Sequence, residues 1–367
     1  MNAIYHFSRV RPAEVRRDMS ALQRSESVVY VGAEDGGLYA VAAASGERAW
    51  AFTDPEEAVS SSPIVKDGTV FVGADDGVLY AVDAASGRQE WSFVEPAGPV
   101  ESSPIVAERT VFVGANDGVV YAVDADTGIR RWAYEGPSGW VSSSPTVADG
   151  TVYVGAADKT LYAVEVDTGE RLWTFEEPVG PVSSPVVDGG TVFAGSDDRR
   201  LYAVDVETGE GVWTFEKPAG PVFSRPLVHD GTVYAGSWEA LYAIDADTGD
   251  VEWTLSLEAT GIDASPTIAD GVVYVGSLDG ALRAIDADTG TQYWTFSETK
   301  GWITTSATVF EGVVYVGAGD GTLYAVETKT GKNRWAFDDP SAGLVTAPTV
   351  VASPIGGDSV GSRGEVK

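Results

Sequence analysis

From Val28 onward the chain is a succession of short apolar runs, each broken by a turn rich in Gly and Asp. One stretch, Val100 to Tyr134, shows the pattern. "VESSPIV" is an apolar and small-residue segment and "AERT" is a polar turn. "VFVGA" alternates as a half-buried strand does, "NDG" is a hairpin signal, "VVYAVDA" alternates again, "DTG" turns the chain, and "IRRWAY" is a last strand. No helical period occurs in it. The pattern predicts a unit of four short antiparallel strands joined by tight turns, with "VESSPIV" as the innermost.

That unit recurs. Trp50, Trp91, Trp132, Trp173, Trp213, Trp253, Trp294 and Trp335 lie 41, 41, 41, 40, 40, 41 and 41 residues apart, and each follows a Gly by four positions. A period near 40 built of strands predicts an all-β fold, an eight-bladed β-propeller of four-stranded antiparallel blades. Both ends must be counted to close it. The first Trp copy begins at Val28 without a clear "SSP" strand before it, and an eighth "SSP"-like strand, "LVTAPTV" from Leu344, follows the last Trp. The C-terminal strand is therefore expected to complete the N-terminal blade, which leaves few open sheet edges. A weaker match, "SALQRSES" before Val28, is the rival inner strand. The propeller is assigned to residues 28–352, with tails at 1–27 and 353–367.

Within the motif, Gly128 is expected in a left-handed conformation, Asp124 is placed to accept hydrogen bonds from the turn, and the Trp to pack between blades with its indole N–H on a carbonyl. Tyr39, Tyr80, Tyr121, Tyr162, Tyr202, Tyr242 and Tyr324 recur similarly, and blade 7 has Arg283 in that place. The repeats, "YAVDxxTGxxxW", resemble the pyrroloquinoline-quinone (PQQ) repeat family rather than the Gly-His and Trp-Asp blades of WD40 propellers. The resemblance covers roughly Val28 to Val351. In size and blade count it points to the non-enzymatic group of that family, of the outer-membrane-assembly lipoprotein type. A quinone-dependent member would need a vicinal disulfide, Ca²⁺ ligands and a catalytic Asp. This chain has no Cys, and Asn only at 2, 116 and 333. The resemblance thus implies neither PQQ nor Ca²⁺, and no catalytic residue. The two carboxylates of "DADTG" supply too few oxygens for a strong Ca²⁺ loop, so no metal site is expected. His6 and His229 are isolated, and the recurring Ser pairs have no recurring His, which excludes a readable Ser–His–Asp triad.

Composition changes the picture in one respect. Against 55 acidic residues stand 24 basic ones, for a net charge of −31. Nucleic acid is excluded as a natural partner, since phosphate binding needs clustered cations. An acid excess with Lys scarce resembles proteins of salt-loving organisms, where salt screens self-repulsion. No apolar run is long enough for a membrane helix. Residues 1–27 carry five Arg and three acids, unlike the rest, and suggest a disordered tail or a start at Met19. The N-terminus lacks the apolar core of a signal peptide, so the chain as written reads as cytoplasmic, although family relatives are often extracytoplasmic.

Shared residues build a repeat scaffold, so function is sought where one blade departs from the others. Trp140, Trp238 and Trp302 lie outside the motif. Trp140 and Trp302 precede the inner strands of blades 4 and 8, and Trp238 sits in the hairpin of blade 6. All three loops are expected on one face. Before the inner-strand Pro, seven blades have Ser62, Ser103, Ser144, Ser184, Ser265, Ser306 or Ala347, whereas blade 6 has Arg225, near Phe223. Glu101 and Asp263 are single acids two places earlier in blades 3 and 7. Arg225 either receives an anion at the channel mouth or pairs with Asp263 of the next blade. A monomeric, non-catalytic scaffold binding an unidentified protein partner through this face is the expectation. Its alternative is a PQQ-dependent dehydrogenase-like or small-anion-sensing channel.

Overall fold

A computed structural model describes residues 27–218, 220–257 and 261–352. They form eight four-stranded antiparallel sheets, each ordered from inner to outer strand along the chain. In blade 3, for example, the strands are Ile105–Ala107, Thr110–Gly114, Val120–Asp124 and Arg130–Tyr134. Blade 1 is the exception in chain order. Its three outer strands are Val28–Gly32, Leu38–Ala42 and Arg48–Phe52, and its inner strand is Thr349–Val351. Val28 pairs with Val351, Val29 with Val350 and Tyr30 with Thr349. Ring closure by the C-terminal strand is therefore the observed arrangement. Residues 1–26 and 353–367, assigned to the two tails, lie outside the described residues, as does all of the rival strand "SALQRSES" except Ser27.

The inner strands are shorter than the sequence pattern predicts. The strand of blade 3 is only Ile105–Ala107, so "VESSPIV" contributes just Ile105 and Val106 to the ladder. The physical reason is the Ser-Ser-Pro segment itself. Pro104 has no N–H to give, and Ser102 Oγ accepts the Gly114 amide of its own blade at 3.0 Å. The Ser103 amide leaves the sheet altogether and donates to Ser144 Oγ of the next blade, at 3.0 Å. The same link runs from Ser62 to Ser103, Ser144 to Ser184, Arg225 to Ser265 and Ala347 to Ser62. The channel wall is thus stitched across blades by side chains.

Apolar burial follows the same logic. Each core cluster joins two neighbouring blades: Leu38, Ala40 and Phe52 of blade 1, for instance, pack with Val59, Val70, Val72 and Tyr80 of blade 2. The last such cluster joins blade 8 to blade 1 through Tyr315, Leu323, Phe337, Val29, Val31 and Leu344. No blade owns its core, so stability belongs to adjacent pairs and to the closed ring.

The Trp motif is the outer fastener. Trp91 Nε1 donates to Ala125 O of the next blade at 3.0 Å, and all eight motif Trp do the same to the equivalent carbonyl, ending with Trp335 on Ala43 O. The ring lies flat on the next blade's turn, where Gly128 has φ +69° and an added Cβ would come within 2.8 Å of Trp91. Asp124 Oδ1 accepts from the Thr127 amide and hydroxyl. Its carboxyl is held below the usual range by the Arg131 hydrogen bond first and the Thr127 bonds next. In each blade the third and outer strands slip by one residue beside the Trp, as between Ala122 and Val123, a bulge that sharpens the twist.

Candidate partner-binding face

On the opposite face from the "DTG" turns, the connections that enter each blade meet the hairpins between second and third strands. A repeated device fixes them. Asp117 Oδ2 accepts the Tyr121 hydroxyl at 2.7 Å and the Ala97 amide of the entering connection at 2.8 Å, while Oδ1 accepts the Val119 amide. Equivalent latches are Asp35, Asp76, Asp158, Asp198 and Asp320, with Tyr39, Tyr80, Tyr162, Tyr202 and Tyr324. Burial would raise the Asp35 carboxyl, but bonds from Ser341, Tyr39 and Gly37 outweigh it and hold it below its usual value. Burial first, and the carboxylate second, push the Tyr39 hydroxyl up to about 12. In blade 7, Arg283 replaces the Tyr and pairs with Asp279.

Blade 6 departs from this pattern. Its hairpin is one residue shorter, a turn of Trp238 and Glu239 closed by the Ser237 amide on Ala240 O at 2.9 Å, where other blades close a longer loop such as Ala115 to Val119. The latching Asp is absent, and Trp238 stands over Gly220.

Trp140, Trp238 and Trp302 are 65%, 52% and 51% exposed, unlike the motif Trp. Their backbones are held nonetheless. Trp140 O accepts the Ala157 amide, Trp302 O the Gly319 amide and Trp238 O the Gly261 amide, each at 2.9 Å. These bonds place all three on the connection-and-hairpin face, as the repeat register predicts, at blades 4, 6 and 8. The Trp302 ring also lies over Gly319 of blade 8. Val179, Phe223 and Leu278 are exposed on the same arc. Leu278 and Val179 were not singled out from sequence, though Leu278 stands where blades 2 and 5 carry Asp75 and Asp197, a readable signal.

Phe223 borders a shallow recess of about 170 Å³ at the channel mouth, with Ser142, Ser143, Pro181, Val182, Ser183, Ser184 and Asp197. Burial, and then the charge of Asp198, raise the Asp197 carboxyl. Arg225 corrects one expectation. It does not pair with Asp263. Its guanidinium Nη2 reaches past blade 5 and donates to Thr146 Oγ1 of blade 4 at 3.0 Å, a hydroxyl that in turn donates to Pro185 O of blade 5. Asp263 is left with Oδ1 buried and without a hydrogen bond, and burial raises its carboxyl. Glu101 is exposed in blade 3. Arg225, Asp263 and Glu101 are therefore not brought together as one site. Among the described residues no three His, Asp or Glu side chains gather to hold a metal ion.

A family model described as outer membrane protein assembly factor BamB matches residues 102–239, 179–260, 198–336 and 285–360, overlapping segments that run over more than half of the chain. The chain belongs to this PQQ-repeat propeller family. Solved structures agree in fold. A computationally designed protein, Ika8, superposes with a TM-score of 0.71 at 21% identity, over 80% of this chain and 93% of that one. BamB from Moraxella catarrhalis gives 0.66 at 20% identity, over 80% and 92%. No curated protein matches by sequence. Among the described residues no helix is long and apolar enough to cross a membrane. A family described by an outer-membrane assembly factor lends the cytoplasmic expectation no support.

Proposed function

We propose that this protein is a non-catalytic, monomeric scaffold that binds a protein partner through the face carrying Trp140, Trp238 and Trp302. The observation that carries the reading is their exposure on fixed backbone at alternate blades, in a chain whose motif Trp are all bonded into the ring. Rigid, exposed aromatics are what interface anchors require, and their ordering costs little on binding. The match to an assembly factor points the same way. A quinone or small-anion site in the channel has less support: its motive was Arg225, whose guanidinium is engaged with Thr146 on the wall. Neither PQQ nor Ca²⁺ is part of the proposal.

Replacing Trp140, Trp238 and Trp302 together by Ala is expected to abolish recovery of the bound partner from extracts of the source cells. The melting temperature should move by only about 2 °C, as exposed side chains contribute little to folding. Capture that survives the triple change rejects the face.

We also propose that the acid excess is an adaptation to salt. The melting temperature is expected to rise between dilute buffer and molar KCl, where the Debye length falls to about 3 Å. Equal melting temperatures in the two media exclude the adaptation.

A further inference from the structure

The latches set one carboxylate against the third-strand phenols, and in several blades a second carboxylate lies within electrostatic reach of the same hydroxyl. One is the hairpin Asp. The other stands two residues beyond the end of the preceding outer strand: Asp339 acts on Tyr39, Asp54 on Tyr80, Glu95 on Tyr121 and Glu298 on Tyr324. Blade 6 lacks both. Its shortened hairpin omits the Asp, and the position two residues beyond Phe215 is Lys217. Tyr242 has no hydrogen-bond partner for its hydroxyl among the described residues, and Lys217 no ion pair. The neighbouring Arg200 and Glu216 neutralise each other at 3.0 Å, which leaves the ammonium uncompensated. Trp238 and Lys217 are exposed, and Glu239, also exposed, gives its backbone carbonyl to the Leu257 amide.

The distribution of charge over the whole face agrees. The entering connections and hairpins of blades 1 to 3 contain no Lys or Arg, whereas Lys159, Arg199, Arg200, Lys217, Arg225 and Lys300 all fall on blades 4 to 8, the arc that carries the three Trp. Acids still outnumber bases on this arc, but their excess per blade is smaller than in blades 1 to 3, so in a chain of net charge −31 it is the part of the face least repulsive to an acidic partner.

We propose that blade 6 takes an acidic side chain of the partner. Its carboxylate accepts from the Tyr242 hydroxyl and the Lys217 ammonium, in the place that an Asp of the chain itself holds in six other blades, and an apolar neighbour on the partner packs against Trp238. The inference rests on the reading of this face as the partner surface and assigns the chemistry of the partner: an acidic polypeptide segment with apolar side chains.

Fluorescein-labelled peptides of alternating Glu and Leu, Gln and Leu, and Lys and Leu serve as probes, with the full chain in about 0.5 M KCl. The Glu peptide is expected to bind saturably, and the Gln peptide at least about tenfold more weakly. Lys217→Glu should weaken the Glu peptide about tenfold and Tyr242→Phe a few-fold. Lys332→Glu, the same charge change in a "DTG"-type turn on the other face, should leave it within about twofold. Absence of saturable binding by the Glu peptide, equal binding by the Gln peptide, or an equal loss in Lys332→Glu overturns the proposal. The two readings fail separately. If the triple Trp change stops partner capture while Lys217→Glu leaves the Glu peptide unaffected, the face stands and the carboxylate site falls. If the peptide follows Lys217 while capture survives the triple Trp change, the partner face falls instead.

Discussion

A chain ended at Ala342 is expected to lose its cooperative thermal transition. The deletion removes only one strand, but that strand closes the ring. Leu344 is fully buried and Val350 nearly so, in clusters that join blade 8 to blade 1. Each contributes about 1.5–3 kcal/mol by burial alone. Thr346 goes too, leaving the Gly32 amide, its partner at 2.7 Å, without an acceptor, a further cost of about 1–3 kcal/mol. Ala347 and Thr349, which bond to Ser62 and Pro63 of blade 2, are also lost. The sum approaches the whole stability of an ordinary domain, about 5–15 kcal/mol, and the inner edge Val28–Gly32 is exposed for aggregation. Circular dichroism during heating reads the effect. Moving residues 343–352 to a position before Ser27, through a Gly-rich linker, should restore the transition. A truncated chain that melts like the parent would show that closure contributes little.

The second large effect is expected at the turn of the Trp motif. Gly128→Val places a β-branched side chain at φ +69°, and its Cβ meets the Trp91 ring at 2.8 Å. Left-handed strain costs about 1–2 kcal/mol. Displacing Trp91 also breaks its bond to Ala125 O and opens the seam between blades 2 and 3, for a total of about 3–5 kcal/mol. Gly68→Ala separates the two causes. Gly68 has φ +86° but nothing within 4 Å of an added Cβ, so it should cost only about 1 kcal/mol. Denaturant midpoints of the two variants measure the difference. Combining Gly128→Val with Trp91→Ala should cost less than the sum of the single changes. Equal costs at Gly68 and Gly128 would mean that the Trp-on-turn contact carries no weight.

Much of this architecture is readable in one dimension because the repeats do the alignment. The spacing of eight Trp and Gly positions gives the blade count, and the surplus "SSP" strand after Trp335 gives the closure. The departures of Trp140, Trp238 and Trp302 from the register give the face. Less accessible were the contacts between blades. "VESSPIV" has the pattern of a strand, yet the Ser103 amide bonds to Ser144 in the next repeat. The pairing of Arg225 with Asp263 followed from neighbouring blades, but the side chain is long enough to pass a whole blade and reach Thr146. The latch of Asp117 on the Ala97 amide joins a hairpin to a connection twenty residues earlier, and its loss in blade 6 has meaning only once the Tyr242 hydroxyl is set beside the bonded phenols of six other blades.

The sequence alone determined the strand pattern, the eightfold register, the C-terminal closure and the acid excess, because these depend on local alternation, spacing and composition. The tertiary structure alone decided which hydroxyls stitch the channel, where Arg225 points, and which blade leaves a phenol and an ammonium without a carboxylate. Those outcomes depend on the curvature of the closed ring, which brings together side chains from different repeats at distances no spacing along the chain encodes.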